Sequence, residues 1–226
     1  MRLYFIRHGQ STNNLLYATT GSNNGRDCDP ELTEVGYQQA KLLSEHLESV
    51  SYNITHLYSS LMVRSVSTGA IVADRLGLQL IAWPDLHEEG GIYLSDGQGN
   101  RIGQPGKDRL YFETNYPNFI LPETINSSGW WNRPFEEEEE RPVRANRFIQ
   151  DLLTRHGDTD DRVAVISHGG FYNQVINALL NIPATQKVWF SLNNTAVTRI
   201  EFKSNPDIIE IVYHNRTNFL PQDMVT

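Results

Sequence analysis

Apolar residues fall along the chain in two periods. Leu3-Tyr4-Phe5-Ile6 is an unbroken apolar run between Arg2 and Arg7, the pattern of a short strand buried on both faces. Val163 to Ile166 repeats it. Ile54 to Tyr58, Leu80 to Trp83 (stopped by Pro84), Ala196 to Phe202 and Ile208 to Tyr213 read as further strands. Between them the spacing lengthens. Thr33 precedes Val35, Tyr37, Ala40, Leu43 and Leu47, near-helical spacing within a helix expected over Pro30 to Val50. Ser59 and Ser60 are placed to cap a helix over Leu61 to Leu76, which Gly77 ends. A helix over Phe135 to His156 opens on the run Glu136 to Glu140, read as a solvated start whose charge suits a helix N-terminus. Another follows from Ser167-His168-Gly169-Gly170 to about Leu180. Strands alternating with helices predict an α/β fold, a three-layer α/β/α sandwich around a mainly parallel sheet.

Two stretches follow neither period. Gln10 to Asp29 is polar and reads as a loop with a helical turn after Ser11. Asp85 to Pro134 mixes Gly, Pro, Asn and aromatics. Residues 1–226 are therefore read as a single domain carrying an inserted, lid-like segment at about 89–134. Tyr111, Phe112, Tyr116, Phe119, Trp130 and Trp131 suffice to order that segment, as a small core more readily than as a cage for substrate. A length of 226 residues with 39% hydrophobic content fits one domain of this kind.

A formal net charge of -8 and an isoelectric point near 5.3 argue against a broad nucleic-acid surface. An acidic protein that holds phosphate must use a few converging cations. The single cysteine, Cys28, excludes an intramolecular disulfide, and no motif around it suggests catalysis. The N-terminus lacks the apolar core of an export signal. No stretch approaches the ~18 apolar residues of a membrane span, so a soluble cytoplasmic protein with no membrane partner is expected. Dimerisation is compatible with the sequence, which carries no signal for it.

Ligands of open parallel sheets bind beyond the carboxyl ends of the strands. Three places put polar groups there: Arg7-His8-Gly9, Tyr58-Ser59-Ser60 with Arg64, and Ser167-His168-Gly169-Gly170. Two arginines, two histidines and two helix N-termini then converge on a tetrahedral dianion, with guanidinium forks and backbone donors to its oxygens. Here the chain resembles the histidine phosphatase superfamily, in its phosphoglycerate-mutase-like branch. Leu3 to Asn14 is similar to the opening signature. Leu32 to Ala40, Tyr58 to Ser65, Leu86-His87-Glu88, Val165 to Gly170 and Asn194 to Val197 follow in family order.

The resemblance implies the roles. His8 is the nucleophile that carries the phosphoryl group. Arg7 and Arg64 bind phosphoryl oxygens, with Asn14 a further contact. His168 donates to a nonbridging oxygen, and Glu88 protonates the leaving alkoxide and then activates water. A phosphorylated small molecule is the expected partner, and neither metal nor cofactor is required. Glu89 competes with Glu88 for the acid role, although spacing from Leu86 favours Glu88. Mutase-type transfer is the alternative to hydrolysis. Mutases of the family carry paired arginines after the acid, whereas Arg101, Arg109 and Arg133 are singly placed here. The intact set of residue types argues against a non-catalytic binding protein. His87-Glu88-Glu89 has no partner spacing for a metal. A second Arg-His-Gly, Arg155-His156-Gly157, follows a helix and reads as structural, its glycine a C-cap and its basic residues complements to the helix dipole.

Overall fold

The computed structural model of the chain describes residues 1–50, 52–96, 98–183, 186, 188–203 and 208–226. A seven-stranded sheet runs through the molecule in the order β6-β3-β2-β7-β1-β8-β9. Its strands are β1 (Arg2–Arg7), β2 (His56–Ser59), β3 (Leu80–Ala82), β6 (Phe119–Ile120), β7 (Arg162–Ser167), β8 (Val197–Phe202) and β9 (Ile209–Arg216). The first five in sheet order are parallel; β8 and β9 are antiparallel additions beside β1. β4 (Tyr93–Ser95) and β5 (Arg101–Gly103) form a separate hairpin.

The uninterrupted apolar runs are explained by burial on both faces. Tyr4 and Ile6 of β1 and Ala164 and Ile166 of β7 pack on one side, against Leu43 and Leu47 of α2 (Glu34–Ser49) and Val66 and Val72 of α3 (Val63–Leu76). Leu3, Phe5, Val163 and Val165 point the other way. They meet Ala145, Phe148 and Leu152 of α5 (Glu140–His156) and Phe171, Val175 and Ile176 of α6 (Gly169–Leu179). The result is the expected three-layer α/β/α sandwich. No helix among the described residues is long and apolar enough to cross a membrane.

The inserted segment divides into two parts with different work. Its α4 (Arg109–Asn115) and β6 extend the main body, because Phe112 and Phe119 lie in the core and β6 pairs with β3. The β4–β5 hairpin and Trp131, packed on Met62 and Ile92, form the part near the strand ends. Residue 97 lies outside the described residues.

Three local expectations are corrected. Helix α3 begins at Val63, not Leu61. Its N-cap, Met62, makes no side-chain cap bond; Ser59 completes β2, and the Ser60 hydroxyl accepts from Met62 N–H at 3.2 Å. Helix α5 begins at Glu140, and Glu136 is no solvated helix start. It is buried and paired with Arg144 at 2.5 and 2.8 Å. His156 stands with Arg155 in the last turn of α5 as expected, but it is buried, with Tyr58 and Asp161 on its two ring nitrogens. Gly157 is the C-cap, but at φ -57° rather than in the left-handed region.

Candidate active site

Adjacent parallel strands deliver the two histidines side by side. β1 and β7 pair with Arg7 opposite Ser167, so the next residue of each leaves the sheet at the same level. The His8 and His168 rings lie 5.0 Å apart, centre to centre. The backbone of His8 is fixed from three directions. Its N–H donates to Ser167 O at 3.0 Å, and its carbonyl accepts from Thr195 N–H at 3.2 Å and Asn194 Nδ2 at 2.9 Å. The next N–H, of Gly9, donates to Thr68 Oγ1 at 3.0 Å. Gly9 is glycine for want of space: a Cβ there would come within 2.5 Å of the Gly36 carbonyl oxygen, where α2 begins.

The hydrogen bonds of His8 fix its tautomer. Nδ1 faces the Gly9 carbonyl at 2.6 Å, and a carbonyl only accepts, so Nδ1 carries the proton. Nε2 keeps its lone pair and accepts from Arg64 Nε at 3.1 Å. Burial, reinforced by Arg64 and Arg7, holds the imidazole well below its usual range, so it is neutral near pH 7. His8 is thus a buried, neutral imidazole with its Nε2 lone pair beside a guanidinium.

Two donors nearby have no acceptor among the described residues: the buried Arg7 Nε and the buried His168 Nδ1. Arg7 is anchored through NH1 to Leu192 O at 2.6 Å, and burial brings its guanidinium down to about 10, still charged. His168 Nε2 lies 3.0 Å from Ser60 Oγ and 3.2 Å from Ser65 Oγ. The Ser60 hydroxyl accepts from Met62 N–H and has its own proton to give to Nε2, an arrangement in which the His168 proton stands on Nδ1. Two buried donors without partners beside a nucleophilic nitrogen suit an anion that brings its own oxygens.

Some of the expected backbone donors are already engaged. At α6, Gly170 and Phe171 N–H donate to Glu88 at 3.2 and 2.9 Å; at α3, Val63 N–H donates to Asp29 at 3.0 Å. Both helix N-termini are thus met in part by carboxylates of the protein itself. Glu88 also supplies charge that supports Arg7 and Arg64. Glu89 is held by Gln174 Nε2 at 2.6 Å and Arg141 at 3.5 Å, and burial raises its carboxyl. Both glutamates line a cavity of about 580 Å³, together with Arg7, Arg101, Phe135 and Arg141.

A match to the family model described as the histidine phosphatase superfamily (branch 1) covers residues 3–98 and 106–215. The chain belongs to this superfamily. A probable phosphoglycerate mutase of Photorhabdus laumondii is 25% identical over 207 residues, 91% of this chain and 87% of that protein. One of Yersinia pestis is 24% identical over 215 residues, with the same coverage. Among solved structures, an Entamoeba histolytica phosphoserine phosphatase in complex with 3-phosphoglyceric acid superposes with TM-score 0.64 at 20% identity, over 97% of this chain and 99% of that one. A mycobacterial glucosyl-3-phosphoglycerate phosphatase complexed with VO3 gives 0.63 at 20% identity, over 96% and 99%. These likenesses bear on the fold.

In this histidine phosphatase superfamily member Arg7, His8, Arg64, Glu88 and His168 come together as the sequence implied. Asn14 is placed differently from a simple phosphate contact. Its Oδ1 accepts from Ser11 N–H at 3.0 Å and Asn194 Nδ2 at 3.2 Å, closing a capping box at the start of α1 (Thr12–Thr20), so only its amide nitrogen is left for a substrate. Asp29 and Thr68 carry no signal in the sequence, whereas Ser60, Ser65 and Asn194 each lie within a segment that resembles the family and have their partners only in the fold. Arg109 is spent on Ile125 and Pro122 carbonyls, and Arg133 on His87, while Arg101 is joined at the cavity by Arg141.

The buried histidines of this family member set a pH dependence. Burial holds His8, His87 and His168 well below 6.5, and His46 and His214 move the same way for the same cause. In the unfolded chain each titrates near 6.5. Below that value the unfolded state binds protons that the folded state refuses, so stability is full above about pH 6.5 and falls as pH drops. Asp29 opposes the trend, since burial raises its carboxyl from 3.8 to about 6 against the pull of Arg64. Between those values the folded state gains the proton first and recovers part of the loss. Thermal unfolding is expected to shift to lower temperature from about pH 6.5 to about pH 5. A midpoint that holds or rises over that window contradicts the assignment.

Proposed function

We propose that the chain is a metal-independent phosphatase that hydrolyses a phosphomonoester through a phosphohistidine on His8. The observation that carries this reading is the state of His8: neutral, with its proton locked on Nδ1 and its Nε2 lone pair beside Arg64. Such a nitrogen attacks phosphorus without prior deprotonation. Arg7 and Arg64 balance the oxygens, and His168 Nδ1–H meets a third. Charge stabilisation by fixed donors in a buried site does most of the catalytic work. Glu88 takes up a proton as the phosphate dianion binds, gives it to the departing alkoxide, and then takes one back from the water that attacks the phosphohistidine. The substrate is a small phosphorylated molecule whose leaving part occupies the cavity beside Arg101, Phe135 and Arg141.

One observation favours mutase-type transfer as the second reading. Arg101 and Arg141 stand together at the cavity, where a glycerate carboxylate is a fitting guest, and the curated relatives are named as probable mutases. Incubation with 3-phosphoglycerate in excess chelator separates the two. Release of inorganic phosphate supports hydrolysis; accumulation of the phosphoglycerate isomer without phosphate release overturns it.

The acid role has its own test. Loss of a general acid matters most when the leaving group is a poor one. Glu88→Gln is expected to lower kcat for an alkyl phosphate by about 10²-fold or more, and much less for a nitrophenyl phosphate. Glu89→Gln is expected to lower both modestly and alike. Reversed profiles assign the acid to Glu89.

A further inference from the structure

The second Arg-His-Gly of the chain lies at the opposite end of the sheet from the cavity. His156 ends α5, His56 opens β2, and Asp161 immediately precedes β7. All three therefore stand at the amino ends of strands whose carboxyl ends carry the site described above. One Asp161 oxygen lies 2.8 Å from His156 Nδ1 and the other 3.8 Å from His56 Nδ1. The two imidazole centroids are 4.6 Å apart. One ligand atom from each residue falls within 4.8 Å of the other two. We propose that His56, His156 and Asp161 form a binding site for a zinc-like divalent transition-metal ion, separate from the phosphate pocket.

Two imidazoles and one carboxylate are a donor set suited to zinc and its neighbours, and poorly suited to calcium or magnesium, which take oxygen. Bonds of about 2.0–2.2 Å place neighbouring donors of a tetrahedral centre roughly 3.4 Å apart. The 2.8 and 3.8 Å separations, one from each Asp161 oxygen, bracket that distance, and the site closes when His56 Nδ1 exchanges its 2.9 Å hydrogen bond with Thr55 Oγ1 for the ion. The backbone beneath it is fixed. Thr55 N–H donates to Arg162 O at 2.9 Å, and Arg162 N–H to Thr55 Oγ1 at 3.0 Å. Thr159 Oγ1 donates to His156 O at 2.8 Å and accepts from Asp161 N–H at 3.0 Å, which folds Asp161 back over His156.

An outer partner is also in place. The Tyr58 hydroxyl lies 3.0 Å from His156 Nε2. Without an ion, the Asp161 carboxylate holds the His156 proton on Nδ1, and Tyr58 O–H donates to Nε2. With the ion on Nδ1, the ring proton stands on Nε2, which then faces the Tyr58 oxygen as a donor. Such outer-shell bonds orient ligating imidazoles. The His56 and Asp161 side chains are 37% and 26% exposed, which gives an ion a path in and water the remaining coordination position. An ion there ties the end of α5 to β2 and β7. It binds the folded chain and not the unfolded one, so it raises stability by mass action.

Zinc titrated into the metal-free full chain, followed by calorimetry and by thermal unfolding, tests the site. Wild type is expected to take up one ion with a higher unfolding midpoint. His56→Ala, at a half-exposed position, and Asp161→Asn, which keeps a hydrogen bond to His156, should each weaken binding roughly tenfold or more and remove the thermal gain. His8→Ala should bind as wild type does. No uptake by wild type, uptake untouched by both substitutions, or uptake lost in His8→Ala would each overturn the proposal, the last by placing the ion in the phosphate pocket. Hydrolysis of an aryl phosphate by His56→Ala should be the same with zinc and with chelator, so the outcome is independent of the phosphatase reading.

Discussion

His8→Ala is expected to abolish phosphomonoester hydrolysis, by about 10⁴-fold or more, while leaving the fold intact. The size follows from what the imidazole does. On the proposed reading its Nε2 attacks phosphorus, and among the described residues it is the imidazole at the junction of β1 and β7 with hydrogen-bond partners on both ring nitrogens. Arg7, Arg64 and His168 can still gather a phosphate, but none of them replaces the lost bond to phosphorus. The cost in stability is small by comparison. The backbone of residue 8 is held by Ser167, Asn194 and Thr195, and these bonds survive truncation of the side chain. Phosphate binding should therefore persist in the variant when turnover does not. Substantial hydrolysis by folded His8→Ala would place the nucleophile elsewhere.

Arg144→Ala is expected to be the most damaging substitution for stability, by about 3–5 kcal/mol. Arg144 and Glu136 are both buried and meet through two bonds, Nε to Oε1 at 2.5 Å and NH2 to Oε2 at 2.8 Å. NH1 also donates to the Asp85 and His87 carbonyls at 2.7 and 2.8 Å, and the guanidinium lies 4.2 Å from the centre of the Phe171 ring. Removing the arginine leaves a buried carboxylate and two buried carbonyls without their donor. Glu136 in turn accepts from Gly90 N–H at 3.2 Å, so the same pair pins both ends of the segment that carries Glu88. Activity should fall beyond the loss of folded protein. The double variant Arg144→Met with Glu136→Leu should recover much of the stability, because no charge is stranded. Chemical denaturation of the two variants measures both; an Arg144→Ala variant within about 1 kcal/mol of wild type contradicts the account.

Much of this was legible in the sequence, for local reasons. Strands buried on both faces leave no polar interruptions, so Leu3 to Ile6 and Val163 to Ile166 announce a parallel sheet flanked by helices. Residues at strand ends are then placed by topology alone, and this brought Arg7, His8, Arg64 and His168 together. The features that escaped notice depend on partners far away in the chain. Asp29 sits in a polar loop and meets the α3 terminus 34 residues on. Glu136 looks like one more solvated acid until Arg144 and the buried segment from Asp85 to Gly90 surround it. Nothing local shows that Glu88 and Asp29 take up part of the backbone donors at the two helix N-termini. The segment from 89 to 134 looked uniform because it lacks periodicity, yet Phe112 and Phe119 belong to the main core and Trp131 to a small cluster with Met62 and Ile92.

The central claim is that phosphate passes through His8. The most direct measurement is rapid mixing of wild-type protein with an aryl phosphate in excess chelator, an alkaline quench that preserves phosphohistidine, and mass-spectrometric location of the phosphoryl group. The account predicts a phosphoryl group on the peptide containing His8, formed and lost at rates that support turnover and absent from His8→Ala. Turnover with the label on another residue, or with no trapped label under single-turnover conditions, would contradict it.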